Sequence, residues 1–140
     1  MNIIAPILLA AGLAALQPAA SGAPFVDAPV LAPGTHASGG ISEEDREEMR
    51  QKQGLYTLHL AFAEARSGAY LAGITLLIEP LDRGAPLGPY ADCGPLFNVA
   101  LRPGAYRVTA IYQGATRTKT VRVGKAATQA TLYWPEPGDS

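Results

Sequence analysis

Two histidines, one cysteine, a serine in a turn and a short run of alternating cations are the residues whose types could do chemistry in this chain. His36 is followed by Ala37-Ser38-Gly39 and His59 by Leu60-Ala61-Phe62. Neither opens the His-x-x-Glu pattern that brings a carboxylate to a zinc ion, and two histidines without one make no metal site. His59 lies in an alternating run, where an imidazole is expected to be half-exposed and structural. Ser67 falls in Arg66-Ser67-Gly68-Ala69, a turn signal, and no Gly-x-Ser-x-Gly occurs. Cys93 sits between Asp92 and Gly94 with no basic neighbour to favour a thiolate. As the only cysteine it forms no internal disulfide, so the fold must rest on its hydrophobic core. No cofactor is implied.

Charge distribution is more informative. Glu43, Glu44, Asp45, Glu47 and Glu48 surround Arg46, whereas no acid occurs between Asp92 and Glu136. Arg102, Arg107, Arg117, Lys119, Arg122 and Lys125 all fall in that interval. Arg117 and Lys119 alternate with threonines and so share a face with Val121 and Val123. Such charges either blunt an edge strand or meet an anionic partner, external or the chain's own acidic segment. Tyr133, Trp134, Tyr70 and Tyr90 are the aromatic residues available for stacking on a sugar, although Trp is more often core. Arg117, Lys119, Arg122, Tyr90 and Trp134 together form the candidate binding surface.

The elements that must position these residues are mostly strands. With 140 residues, 48% apolar and net charge −1, the chain reads as one globular domain and not as a generic nucleic-acid binder. Fifteen glycines and twelve prolines between short alternating runs favour an all-β fold over a helical bundle. Residues 1–21 hold an uncharged apolar core followed by Ala19-Ala20-Ser21, as a cleaved signal peptide does, though no Lys or Arg precedes the core. The core is too short for a comfortable membrane span. No stable span is expected after cleavage, and the location is periplasmic or secreted. Residues 22–41 read as a Pro/Gly/Ala-rich linker. Residues 42–53 read as a short surface helix, with Ser42 as N-cap, acids in its first turns, bases in its last, and Met49 almost its only apolar residue.

From residue 54 to 135 the alternation predicts six strands, or seven if the Gly/Pro-rich loop 81–95 contributes an edge piece. Tyr56, Leu58, Leu60 and Phe62 line one face of the first, and Ile74, Leu76 and Ile78 one face of the second. Pro103-Gly104 is expected to make a tight type II reversal between two strands, with Tyr106 pinning the outgoing one. Residues 136–140 are a tail. The economical way to bury these faces is one antiparallel sandwich of two sheets.

Ala72-Gly73-Ile74-Thr75-Leu76, then Leu101-Arg102-Pro103-Gly104-Ala105-Tyr106-Arg107-Val108, then Tyr112-Gln113-Gly114 resemble the carboxypeptidase regulatory-like family. Its members are transthyretin-like (prealbumin-type), Ig-like β-sandwiches. The likeness covers residues 54–135. It extends to small exported proteobacterial proteins with a Gly-Gly-Ile and acidic-helix lead-in, as Gly39-Gly40-Ile41 and residues 42–53 supply here. The resemblance implies a fold and is nearly silent on activity. Transthyretin-like folds also include a hydrolase of purine breakdown products, resembling paired histidines with an arginine and a Tyr-Arg-Gly-Ser tail. Here Tyr133-Trp134-Pro135-Glu136 leads to Ser140 instead. The expected function is therefore an exported, non-catalytic sandwich acting through protein or cell-envelope contacts. A carbohydrate-binding module is the alternative, and a small hydrolase is third.

Overall fold

The computed structural model describes residues 31–135, and the expected signal peptide, residues 22–30 of the expected linker and the tail lie outside them. Eight strands form two four-stranded sheets around one core. They are β1 (His36–Gly39), β2 (Leu58–Glu64), β3 (Ile74–Pro80), β4 (Leu87–Cys93), β5 (Leu96–Val99), β6 (Gly104–Tyr112), β7 (Ala115–Val123) and β8 (Thr128–Trp134), with helix α1 (Glu43–Lys52) between β1 and β2. The first sheet runs β1-β5-β2-β8 and the second β4-β3-β6-β7. A mostly β sandwich with one short helix is what the alternation predicts. Leu58, Leu60 and Phe62 meet Ile74, Leu76 and Ile78 across its interior, all at 1% exposure or less.

Three features depart from the expectation, and a fourth, the strand in loop 81–95, is the edge piece it allowed for. β1 falls inside the linker, because His-Ala-Ser-Gly has no apolar alternation and becomes a strand only by pairing with β5, His36 opposite Val99. The loop 81–95 contains β4, an edge strand whose register against β3 slips twice. Gly88, at φ +98°, permits the slip, since a Cβ there would lie 2.7 Å from the Leu76 carbonyl oxygen. β2 and β8 are parallel, Leu58 opposite Thr128, so the sandwich is not wholly antiparallel. Finally, Pro103-Gly104 joins no hairpin: β5 belongs to the first sheet and β6 to the second. Gly104 has φ +154°, far from the roughly +80° of a type II turn. Tyr106 does anchor the outgoing strand, its hydroxyl donating to the Arg102 carbonyl at 2.6 Å. Gln113 and Gly114, with φ +48° and +81°, make the tight hairpin between β6 and β7.

The position of α1 follows from topology. β1 and β2 both run antiparallel to β5 between them, so they are parallel to each other and must be joined across the sheet. That connection is α1, which packs on β1 and β5. Ser42 caps it by accepting the Asp45 N–H at 3.0 Å, and Asp45 accepts the Gly40 N–H at 2.6 Å. Met49 is its buried residue. The acidic helix therefore lies on the first sheet, while the basic strand β7 is the edge of the second. Among the described residues no helix is long and apolar enough to cross a membrane.

Candidate functional site

The residues singled out from the sequence do not converge. Tyr90 on β4 and the cations on β7 stand at opposite edges of the second sheet. Trp134 is only 2% exposed, so it offers no stacking platform. Its Nε1 donates to the Ala115 carbonyl at 2.9 Å, and its ring meets Phe62 and Tyr112 edge-on. The alternation of Ala130, Leu132 and Trp134 carried that signal already. Tyr90 is half-buried against His36 and Phe97, ring centroids 4.4 and 5.0 Å away. Burial, then the nearby Cys93 charge, raises its hydroxyl above the ordinary value.

Arg117 and Lys119 point as Val121 and Val123 do, toward the interior side of β7, whereas Arg122 points outward. Arg117 Nε donates to the Tyr133 carbonyl on β8 at 2.9 Å, and Thr128 Oγ1 to the Arg122 carbonyl at 2.9 Å. With Trp134, these bonds stitch two edge strands from different sheets. Inward charges at an edge are a standard guard against edge-to-edge pairing. Cys93 is buried, and desolvation first, then the Asp92 charge, pushes its thiol up despite a hydrogen bond with Ser38.

A different set of residues does come together, on the outer face of the first sheet. Helix α1 covers β1 and β5 but leaves β2 and β8 open, and the step between them is a cleft of about 250 Å³. Its floor is ordered by register. Asn98 and Gln129 both stand opposite His59, giving one row across β5, β2 and β8. The next row is Leu96, Ala61 and Thr131. In the row after that, Tyr70, which also lines the cleft, and Tyr133 both stand opposite Ala63. Directly opposed residues project from the same face, so two tyrosines, 48% and 51% exposed, flank an alanine that is 3% exposed. The wall is Met49, Arg50 and Gln53.

These side chains are held in place. His59 Nε2 lies 2.7 Å from the Gln53 carbonyl and 3.1 Å from that of Tyr56. Both partners are acceptors, so Nε2 carries the hydrogen, and the imidazole ties the single 3-10 turn after α1 to the sheet. Nδ1 is the one buried side-chain nitrogen or oxygen without a partner among the described residues. The Arg46 guanidinium sits over the Tyr70 ring at 5.3 Å while donating to the Gly40 and Ile41 carbonyls. Arg50 is paired with Glu47 at 2.7 Å, and that hydrogen bond and charge lower the Glu47 carboxyl below its ordinary value. Among the described residues no carboxylate lines the cleft.

A second cavity of about 330 Å³ lies at the Pro103 corner, between Asp82, Arg83, Arg102 and Tyr106. Burial, then the Asp82 charge, raises the Tyr106 hydroxyl. Its 81–86 wall is exposed loop throughout, so it offers fewer fixed groups than the cleft on the first sheet. Among the described residues, no three His, Cys, Asp or Glu side chains are grouped as a metal would need. No family model matches the chain, and no curated protein is significantly similar to it.

Proposed function

We propose that this chain is an exported, non-catalytic binding module of the carboxypeptidase regulatory-like type, with a prealbumin-like sandwich. Its working surface is the outer face of the first sheet. The observation that carries this reading is the cleft itself. Three strands fix its floor by backbone register, a capped helix forms its wall, and Arg46 holds Tyr70 beside it. Groups fixed before a ligand arrives cost little ordering entropy on binding, which suits recognition. His59, which the hydrolase alternative would need as a base, spends its Nε2 hydrogen on two backbone carbonyls.

The test is co-sedimentation of the full chain with isolated Gram-negative cell envelopes. Thr131 projects from the cleft floor and is partly exposed, so Thr131→Trp fills the cleft without touching the core. The variant is expected to melt as the wild type does and to lose co-sedimentation. Wild-type co-sedimentation by a folded Thr131→Trp would remove the cleft as the working surface. A hydrolase would instead show turnover that His59→Ala abolishes.

A further inference from the structure

Resting on the cleft reading above, we infer that its occupant is a 2-acetamido sugar within a glycan chain. The chemistry of the lining points there. Among the described residues no carboxylate lines the cleft and its one guanidinium is paired with Glu47, so neither a cation nor an anion is the favoured guest. What remains are the side-chain amides of Asn98, Gln129 and Gln53, the Thr131 hydroxyl, the His59 imidazole already bonded to backbone, and the Tyr70 ring. That combination suits a neutral ligand with a polar rim and an apolar face, as a pyranose has.

Tyr70 and Tyr133 stand two strands apart across Ala63, ~10 Å at the usual strand spacing. Side chains rise roughly perpendicular to a sheet, so the pair makes two walls over a small-residue floor. Arg46 already fixes the Tyr70 ring, which lowers the ordering cost of stacking. One row along, the cleft deepens toward Asn98 and Gln129. A side-chain amide offers both a donor and an acceptor, and so does an acetamido group. Leu96, Ala61 and Met49 line the same space and offer apolar contact to the acetyl methyl. An extended peptide is the competing guest, but β2 at the centre of the floor is already paired on both sides, and a strand added to the edge of β8 would lie beside the cleft and not in it.

Isothermal titration of the full chain separates these possibilities, with chitotetraose, cellotetraose and a proline-rich peptide as the probes. The first two share a linkage and differ in the acetamido group. Chitotetraose is expected to bind and cellotetraose to bind at least about tenfold more weakly. Tyr133→Ala and Gln129→Leu, both at exposed positions, are each expected to weaken chitotetraose about tenfold with unchanged melting. Equal binding of the two sugars overturns the acetamido assignment, and preference for the peptide overturns the glycan. Chitotetraose binding that Thr131→Trp leaves intact overturns the location. If no probe binds while envelope co-sedimentation remains sensitive to Thr131→Trp, this inference fails and the cleft reading stands. If neither is seen, both fail.

Discussion

The outer face of the first sheet lies under a helix and is indented by a cleft, while among the described residues no helix packs on the second. On the second sheet the outward rows are Thr75, Ile111 and Thr116, then Leu77, Thr109 and Thr118, then Glu79, Arg107 and Thr120. Short, β-branched and charged side chains at those positions stabilise strands and keep the face wet. On the first sheet the corresponding positions are Asn98, His59 and Gln129, and Leu96, Ala61 and Thr131. Both sheets bury the same kind of residue inward. The difference arises from connectivity: one parallel relation, β1 to β2, requires a crossover, and the crossover builds a wall. In the second sheet β6 and β7 are joined by a tight hairpin, and the chain passes from β3 to β6 through β4 and through β5 of the first sheet, so no crossover helix is laid on its outer face among the described residues. The cleft here comes from a topological obligation, not from an inserted loop.

The comparison can be broken most directly at Met49. It is the buried residue of α1, so Met49→Ala is expected to cost about 2 kcal/mol or more, read from the urea midpoint, with loss of helical ellipticity. Ile111→Ala on the open face, where Ile111 is 37% exposed, is expected to cost less than about 0.5 kcal/mol. Equal costs would mean that the helix contributes no more than an exposed side chain does.

Alkaline pH sharpens the contrast from the other side. Tyr90, Cys93 and Tyr106 all belong to the second sheet, and burial is the leading cause that raises each of them. Their protons leave the unfolded chain first, from about pH 8.5 for cysteine and about 10 for tyrosine. The native state then binds more protons than the unfolded one, so stability is unaffected below about pH 8.5 and falls as pH rises beyond it. The urea midpoint is expected to drop between pH 7.5 and 9.5, and less steeply in Cys93→Ala. An unchanged slope in that variant would show the thiol to be uninvolved.

The smallest effect concerns salt. Glu47–Arg50 and Glu48–Lys52 are exposed pairs along α1, and such pairs are weak and screened. Helical ellipticity is expected to stay constant within error from low to molar salt, because Met49, the Ser42 cap and Arg46 dock the helix. A large loss would mean that charge holds it instead.

What the sequence made legible was everything carried by periodicity within one segment. The inward rows of β2 and β3 follow from alternation alone, and the start of α1 from Ser42 and its following acids. What it hid was set by pairing between segments. β1 has no apolar pattern and exists through β5, and the parallel match of β2 with β8 leaves no local trace. The cleft belongs to this second kind. Tyr70 and Tyr133 read as one loop residue and one strand end until both are found opposite Ala63, and His59 gains Asn98 and Gln129 as neighbours only through two registers. The aromatic signal for binding was present, but parity along β8 sends Trp134 inward and Tyr133 outward.

The parallel pairing of β2 with β8 has a kinetic consequence. β2 is the first long strand of the described chain and β8 the last, and between them they close the first sheet. Loop-closure entropy must be met before such distant contacts stabilise anything. Until β8 has emerged, β2 lacks its neighbour on that side and Phe62 lacks Trp134, so the nascent chain is expected to remain open until synthesis of the domain is nearly complete. A polypeptide bound for an export channel must be threaded before it folds. In the exported module proposed above, the order of the strands would itself provide the delay.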